Sequence, residues 1–303
     1  MRVGIDLMGS EKSPQALFES LVKASRSLSK VSEIHLFVTP TIQREIASLA
    51  HELPLHFHVF DHVIEMGDDP VRSLREKPEA TLIQGIKALR EKLIDVFITA
   101  SNTGALISAS SLFLPKKEGV KRPALMASLP TRKGVVTLID AGASVQMKPA
   151  LMYHFAEIGI NHAKTVHGKA NPTVGLLNVG QESQKGTLEH RDAFEKLSKL
   201  PTFKGNIEPD RMFQGDVDVI VADGFSGNIL LKTAEGVSEF IFQALQETAS
   251  EGLQPEIEAL KKRFEYADFP GARVVGVEGT VIKIHGNAHP DALIHCLQAL
   301  KRE

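Results

Sequence analysis

The sequence predicts an α/β fold, a three-layer αβα sandwich on a mostly parallel sheet, and three observations carry that expectation. Short β-branched runs alternate with longer stretches of helical spacing, the pattern of a parallel sheet flanked by helices. The runs are near-continuously apolar, as strands covered on both faces should be. Five apolar runs also give way to Asp or Asn and then, within three residues, to Gly: Ile5-Asp6-Leu7-Met8-Gly9, Ser101-Asn102-Thr103-Gly104, Ile139-Asp140-Ala141-Gly142, Leu177-Asn178-Val179-Gly180 and Ala222-Asp223-Gly224.

In chain order, the expected strands are residues 3–5, 34–38, 55–59, 96–99, 135–139, 174–177, 217–222 and 281–284. The expected helices are 14–28, 79–89, 148–162, 188–197, 229–249 and 290–300. Within 229–249, Val237, Phe240, Ile241, Ala244 and Leu245 follow i, i+3, i+4, i+7, i+8 spacing and read as a core-facing stripe. No repeat, low-complexity tract or clear linker interrupts the chain, so residues 1–303 read as one unit, with two lobes around a central cleft. Residues 116–122, 202–211 and 265–271 are the loop candidates.

Composition narrows the function classes. With 303 residues, 43% apolar, and 35 basic against 37 acidic groups, the chain is an ordinary globular protein with no global basic field for nucleic acid. One cysteine, Cys296, excludes an intramolecular disulfide and a Cys-rich zinc site, and it reads as buried packing. Asp6 arrives before a signal-peptide core forms, and no apolar run reaches the ~18 residues of a membrane span, so a cytoplasmic location is expected.

Strand carboxyl ends are where ligands bind in parallel α/β sheets, because helix N-termini and glycine turns converge there. Asp, Asn and Gly are ordinary turn and cap residues one at a time, but five instances point to a shared anion-binding edge. Lys185, Lys232, Lys283 and His285 stand near these ends, and Lys283 lies between Ile282 and Ile284, where a cation needs a partner or a function. No Gly-x-Gly-x-x-Gly, Walker A loop, Gly-x-Ser-x-Gly elbow or His-Glu-x-x-His is present. His51, His56, His58 and His62 crowd one stretch, but His56 and His58 read as the outer face of a short strand with Leu55, Phe57 and Val59 on its inner face. No metal and no cofactor are expected.

Taken in order, Asp6-Leu7-Met8-Gly9, Asn102-Thr103-Gly104-Ala105-Leu106, Arg122-Pro123-Ala124, Leu138-Ile139-Asp140-Ala141-Gly142-Ala143, Leu176-Leu177-Asn178-Val179-Gly180 with Lys185-Gly186, Asp223-Gly224-Phe225-Ser226-Gly227-Asn228 with Leu231-Lys232-Thr233, and Gly279-Thr280-Val281-Ile282-Lys283-Ile284-His285-Gly286 resemble the motifs of PlsX-type phosphate acyltransferases. The first loop departs from that family's Asp-Ala-Met-Gly-Gly-Asp, with Ser10 and Glu11 at its last two positions. The resemblance implies a Rossmann-like homodimer related to isocitrate and isopropylmalate dehydrogenases and to phosphotransacetylases. It implies transfer of a fatty acyl group from acyl carrier protein to inorganic phosphate, and a downstream glycerol-3-phosphate acyltransferase that consumes the product.

On that chemistry, Asn102, Thr103 and Gly104 at a helix N-terminus, with Lys185 and Lys232, are expected to hold phosphate. Asn228 is expected to meet the oxyanion and His285 to protonate the leaving thiolate. Asp6, Asp140 and Asp223 are expected to orient donors, with Gly9, Asn178, Gly224 and Lys283 completing the substrate-binding set. Lys116 with Lys117, Lys121 with Arg122, and Lys261-Lys262-Arg263 are candidate docks for the acidic carrier. Leu253, Ile257, Leu260 and Phe264 beside the last of these are a candidate contact for anionic lipid. A short-chain phosphotransacetylase, and a non-catalytic carrier-binding or membrane-scaffolding protein, are the competing readings.

Overall fold

A computed structural model describes residues 1–24, 31–49, 54–144, 148–265, 271–284 and 291–300. They form two compact units, Met1–Pro123 with Pro270–Glu303, and Ala124–Phe269. Unit 1 begins with β1 (Arg2–Asp6), α1 (Pro14–Ala24), β2 (Glu33–Val38), α2 (Pro40–Ile46), β3 (Leu55–Val59), α3 (Pro70–Glu76), α4 (Thr81–Arg90), β4 (Val96–Thr99) and α5 (Thr103–Phe113). Unit 2 contains β5 (Ala124–Thr131), β6 (Gly134–Ile139), α6 (Pro149–Thr165), β7 (Val174–Leu177), α7 (Leu188–Leu197), β8 (Phe203–Ile207), β9 (Val219–Val221), α8 (Gly224–Thr248) and α9 (Gln254–Glu265). The chain then returns to unit 1 as β10 (Ala272–Val275), β11 (Thr280–Lys283) and α10 (Asp291–Ala299).

In unit 1 the strand order is β3-β2-β1-β4-β11-β10, parallel except for the β10–β11 pair. Both alternating sets of side chains on β1, β2 and β4 are buried, so both sheet faces are covered. Phe18, Phe37 and Phe97 are fully buried there. Close packing of α4 on the sheet depends on glycine, because a Cβ on Gly85 would overlap the Phe97 ring.

In unit 2 the order is β5-β6-β9-β7-β8, with β5 antiparallel to β6 and the remaining pairs parallel. Phe155 of α6 is fully buried, and Gly159 of the same helix lets it approach Val219 and Ile139 of the sheet. No helix among the described residues is long and apolar enough to cross a membrane.

The expected α/β fold is present, with two antiparallel pairs, and eight expected strands are found within a residue or two of their ends. Three strands, β5, β8 and β10, and three helices, α2, α3 and α9, were not among the expected elements, and of α5 only the N-terminus at Asn102, Thr103 and Gly104 was expected. Residues 202–211, expected as a loop, hold β8 and the start of a 3₁₀ turn, Pro209–Gln214. The expected core-facing stripe of α8 is also overturned. Val237, Phe240, Ile241 and Leu245 are 51, 70, 47 and 37% exposed, while Phe242 between them is buried.

Candidate active site

In unit 1 the candidate residues form a row across three adjacent parallel strands. Register places Asp6 of β1 opposite Thr99 of β4, and Thr99 opposite Lys283 of β11, all at the carboxyl ends. All three are buried. Asp6 accepts hydrogen bonds from the Met8 N–H at 3.1 Å and from the Thr99 hydroxyl at 3.1 Å. Burial outweighs those bonds and pushes the Asp6 carboxyl up to about 7. Lys283 donates to the main-chain oxygens of Ala100, at 3.1 Å, and Ile284.

Gly9 closes the first loop at φ 68°, and a Cβ there would come within 2.7 Å of the Ile64 carbonyl oxygen and 2.8 Å of the Ser101 Cβ. The positive φ falls on Gly9, so Ser10 in place of a second glycine carries no backbone strain. Asn102 caps α5, accepting from the Ala105 N–H at 3.0 Å, and its amide donates to the carbonyls of Met66 at 3.0 Å and Asp68 at 3.1 Å. Its side chain therefore organises the helix start and the 65–68 turn. Thr103 and Gly104 form the first turn of α5, where peptide N–H groups favour an anion.

In unit 2 the candidate residues cluster at the ends of β6, β7 and β9. Asp140 follows β6 and accepts at Oδ1 from the N–H groups of Leu125, Gly142 and Ala143 at 2.8–3.1 Å. Burial pushes its carboxyl up, against the pull of those donors. Its Oδ2 is buried without a hydrogen-bond partner. A Cβ on Gly224 would stand 3.0 Å from that oxygen, and one on Gly142, at φ 137°, would stand 3.3 Å from Asn228 Oδ1. Asp140, Gly142, Gly224 and Asn228 are thus neighbours, although residues 140 and 228 stand 88 positions apart in the chain.

Asp223 caps α8, accepting from the Ser226 N–H at 2.8 Å. Burial raises its carboxyl, but His190 and Ser226 outweigh burial and hold it at about 2. His190 Nε2 lies 3.6 Å from Asp223 Oδ2, and its Nδ1 lies 2.9 Å from the Thr187 hydroxyl. The glycine turn before α7 packs on the same group. Gly186, at φ 81°, lies against Asn178 and His190, and Asn178 donates to the Lys185 carbonyl at 3.1 Å. Lys185 itself is half exposed, with Nζ 4.0 Å from Glu182. Lys232, one turn beyond Asn228 on α8, is exposed and ion-paired with Glu235 at 2.7 Å.

The structure therefore brings together Asp6 and Lys283 with Gly9 and Asn102 in unit 1, and Asp140, Asn178, Asp223, Gly224 and Asn228 in unit 2. Lys232 points to solvent through its ion pair, apart from that network's hydrogen bonds. His285 and the side chains of Lys262, Arg263 and Phe264 lie outside the described residues. His190 was missed from the sequence, where the only signal is a Thr187-x-x-His190 helix start.

The profile of the family described as "Fatty acid synthesis protein" matches residues 1–302. A phosphate acyltransferase from Chlamydia felis is 37% identical over 294 residues, covering 95% of this chain and 90% of that protein. A phosphotransacetylase from Streptococcus pyogenes superposes with a TM-score of 0.60 at 13% identity, covering 99% of this chain and 94% of that one. A 4-hydroxythreonine-4-phosphate dehydrogenase from Klebsiella pneumoniae gives 0.54 at 11% identity over 99 and 97%. The two structural likenesses show the fold and tie it to phosphotransacetylase and dehydrogenase architectures, as expected. With a profile match along its length and a relative of this identity, the chain belongs to the fatty acid synthesis protein family of phosphate acyltransferases.

Proposed function

We propose that this phosphate acyltransferase moves a long-chain fatty acyl group from the thioester of acyl carrier protein to inorganic phosphate, forming an acyl phosphate for phospholipid synthesis. Family membership along the chain carries the reaction class. The donor-rich strand ends support the phosphate half, and the carrier and chain length rest on the resemblance of the motifs.

The reaction asks little of a protein nucleophile. Near neutral pH inorganic phosphate is a mixture of monoanion and dianion, and an oxygen of the dianion attacks the thioester carbonyl directly. The C–O bond forms, the C–S bond breaks, and the thiolate leaves with a proton. In our reading the α5 N-terminus at Thr103 and Gly104, with Lys185 and Lys232, offsets phosphate charge, and Asn228 meets the oxyanion. Burial raises the Asp6 carboxyl to about 7, so near neutral pH it carries only part of a charge, which suits a carboxyl beside an anion. His285 remains our proton donor to the thiolate, with Asp140 and Asp223 setting the geometry of the two glycine turns.

The chain works as one catalytic unit in this reading, because each compact unit carries only part of the motif set. A homodimer through the exposed stripe of α8 accounts for Val237, Phe240, Ile241 and Leu245 facing outward. Exposed Leu253 and Leu260 beside it support peripheral contact with a membrane. A glycerol-3-phosphate acyltransferase is the proposed consumer of the product.

The test mixes purified protein, acyl carrier protein thioester and phosphate, and traps acyl phosphate as the hydroxamate. Product from long-chain and not acetyl thioesters is expected, and Lys185→Ala or Lys232→Ala should raise the phosphate KM or cut kcat more than ~10-fold, a loss of roughly 1.4 kcal/mol. No acyl phosphate from any thioester would overturn the reading, and unchanged kinetics in both variants would remove the lysines from it.

A further inference from the structure

Away from the strand ends that carry the family motifs, β2 and the edge strand β3 place four polar side chains on one sheet face. Glu33 and His35 alternate along β2, His56 and His58 alternate along β3, and His35 is directly opposite His56 in register. One ligand atom from each of Glu33, His35 and His56 falls within a cluster no wider than 4.8 Å. Glu33 Oε2 lies 3.3 Å from His35 Nε2 and 3.7 Å from His56 Nε2. Donor atoms on a tetrahedron with bonds of about 2.0–2.1 Å stand about 3.4 Å apart, so two edges of such a figure are already present. The side chain of His56 is 54% exposed, which leaves its ring room to turn and close the third edge.

A second feature points the same way. Behind His35, its Nδ1 meets His58 Nε2 at 2.9 Å, the two ring planes lie within 16° of each other, and His58 in turn packs against Phe37. A ring nitrogen held by a partner fixes the tautomer of a histidine and presents the other nitrogen's lone pair, as metal-binding histidines require. In the tautomer in which His35 donates from Nδ1 to His58, Nε2 presents its lone pair toward Glu33, with the His56 ring stacked on His35 at 4.8 Å. His35 is 4% exposed and rigid, while Glu33 and His56 are open to solvent on the other side, so the site has a fixed ligand and an entry path.

We propose that Glu33, His35 and His56 bind one divalent transition-metal ion of the borderline class that prefers imidazole and carboxylate, Zn²⁺ being the prototype, with His58 as the hydrogen-bonding support and water completing the coordination. The ion pins edge strand β3 to β2. It lies outside the acyl-transfer chemistry, so the site stands or falls separately from the proposed function.

Chelator-stripped full-length protein is titrated with Zn²⁺ by calorimetry and with Co²⁺ by visible absorption, and melting is followed in each state. The expected result is one ion per chain with Kd of ~10⁻⁶ M or below, a raised Tm, and intense Co²⁺ bands of a four-coordinate site. His56→Ala and Glu33→Gln should each weaken Zn²⁺ at least ~10-fold and His58→Ala by ~10–100-fold, while His154→Ala, at an exposed histidine of α6, should change nothing. Both His56 and Glu33 are solvent-facing, and circular dichroism is used to check that their variants fold. Binding no tighter than ~10⁻³ M, or affinity that either His56→Ala or Glu33→Gln leaves unchanged, overturns the site.

Discussion

Asp6 and Asp223 stand at equivalent places, each at the carboxyl end of a parallel strand beside a glycine turn, yet they carry opposite electrostatic states. Asp6 is pushed up to about 7 and Asp223 is held at about 2. Asp6 is the more deeply enclosed of the two, at 2 against 9% exposure, and its desolvation is the stronger. The donors add to the difference. Asp6 receives the Met8 N–H and the Thr99 hydroxyl, neutral groups that do not offset its desolvation. Asp223 receives the N–H of a helix first turn and stands beside an imidazole, and together these outweigh burial. The same motif, an acid followed by glycine, thus builds a partly ionised carboxyl in unit 1 and a firmly ionised one in unit 2.

The largest test of this contrast is Asp6→Asn. Because the folded chain holds the Asp6 proton up to about pH 7 and the unfolded chain releases it near 3.8, the folded state binds more protons across that window, and stability falls as pH rises through it. The penalty is fully developed above pH 7 and amounts to roughly 4 kcal/mol as an upper bound. Asparagine, without the charge, keeps Oδ1 as acceptor for the Met8 N–H and puts an NH2 that donates to the Thr99 hydroxyl where Oδ2 accepted from it, so urea unfolding should find the variant more stable than the parent at pH 8 and no longer so at pH 4. Equal stability at pH 8 would show that Asp6 ionises without cost.

Asp223→Asn should do the reverse by a smaller amount. A carboxyl depressed to about 2 stabilises the fold above its unfolded value and loses that contribution as pH falls toward 2. About 1–2 kcal/mol, allowing for solvent screening, should be missing from the variant at pH 7 and recovered relative to the parent at pH 2–3. A pH-independent difference would assign the effect to packing. The smallest change, Thr187→Val, removes the α7 cap and the partner of His190 Nδ1, and should cost about 1 kcal/mol in the urea midpoint at neutral pH. A larger loss there than in Asp223→Asn would make Thr187, and not His190, the keystone of the unit 2 network.

Much of this was legible because buried parallel strands and their ends leave local marks. β3, β4, β7 and α7 were found with the bounds expected from the sequence, each flanked by a turn signal or an apolar run. β8 was not, because Phe203-Lys204-Gly205-Asn206-Ile207 lies at the sheet edge, paired only with β7, and needs no apolar side chain on both faces. β5 was hidden by Pro130 and by small residues, and its membership in the sheet comes from its antiparallel pairing with β6. In α5, buried Ala105, Leu106, Ile107, Ala109 and Ser110 leave little contrast between faces, so helical period was weak. The α8 stripe shows the converse limit: spacing identifies an apolar face but not what covers it. The link from His190 to Asp223 is tertiary, and no spacing rule finds it.

The path of the chain through its two units also bears on how the protein is made. Unit 2 is one continuous stretch, whereas unit 1 is completed only when β11, from the far end of the chain, takes its place beside β4. During synthesis from the ribosome, β4 emerges with one edge unfilled and keeps it until the last residues arrive. An open edge of Val96, Phe97 and Ile98 is an adhesive surface for other nascent chains. Truncation before β11 should therefore yield aggregation-prone material even though most of the residues of both units have been translated, and chaperone dependence should concentrate on the first unit to leave the ribosome and the last to finish.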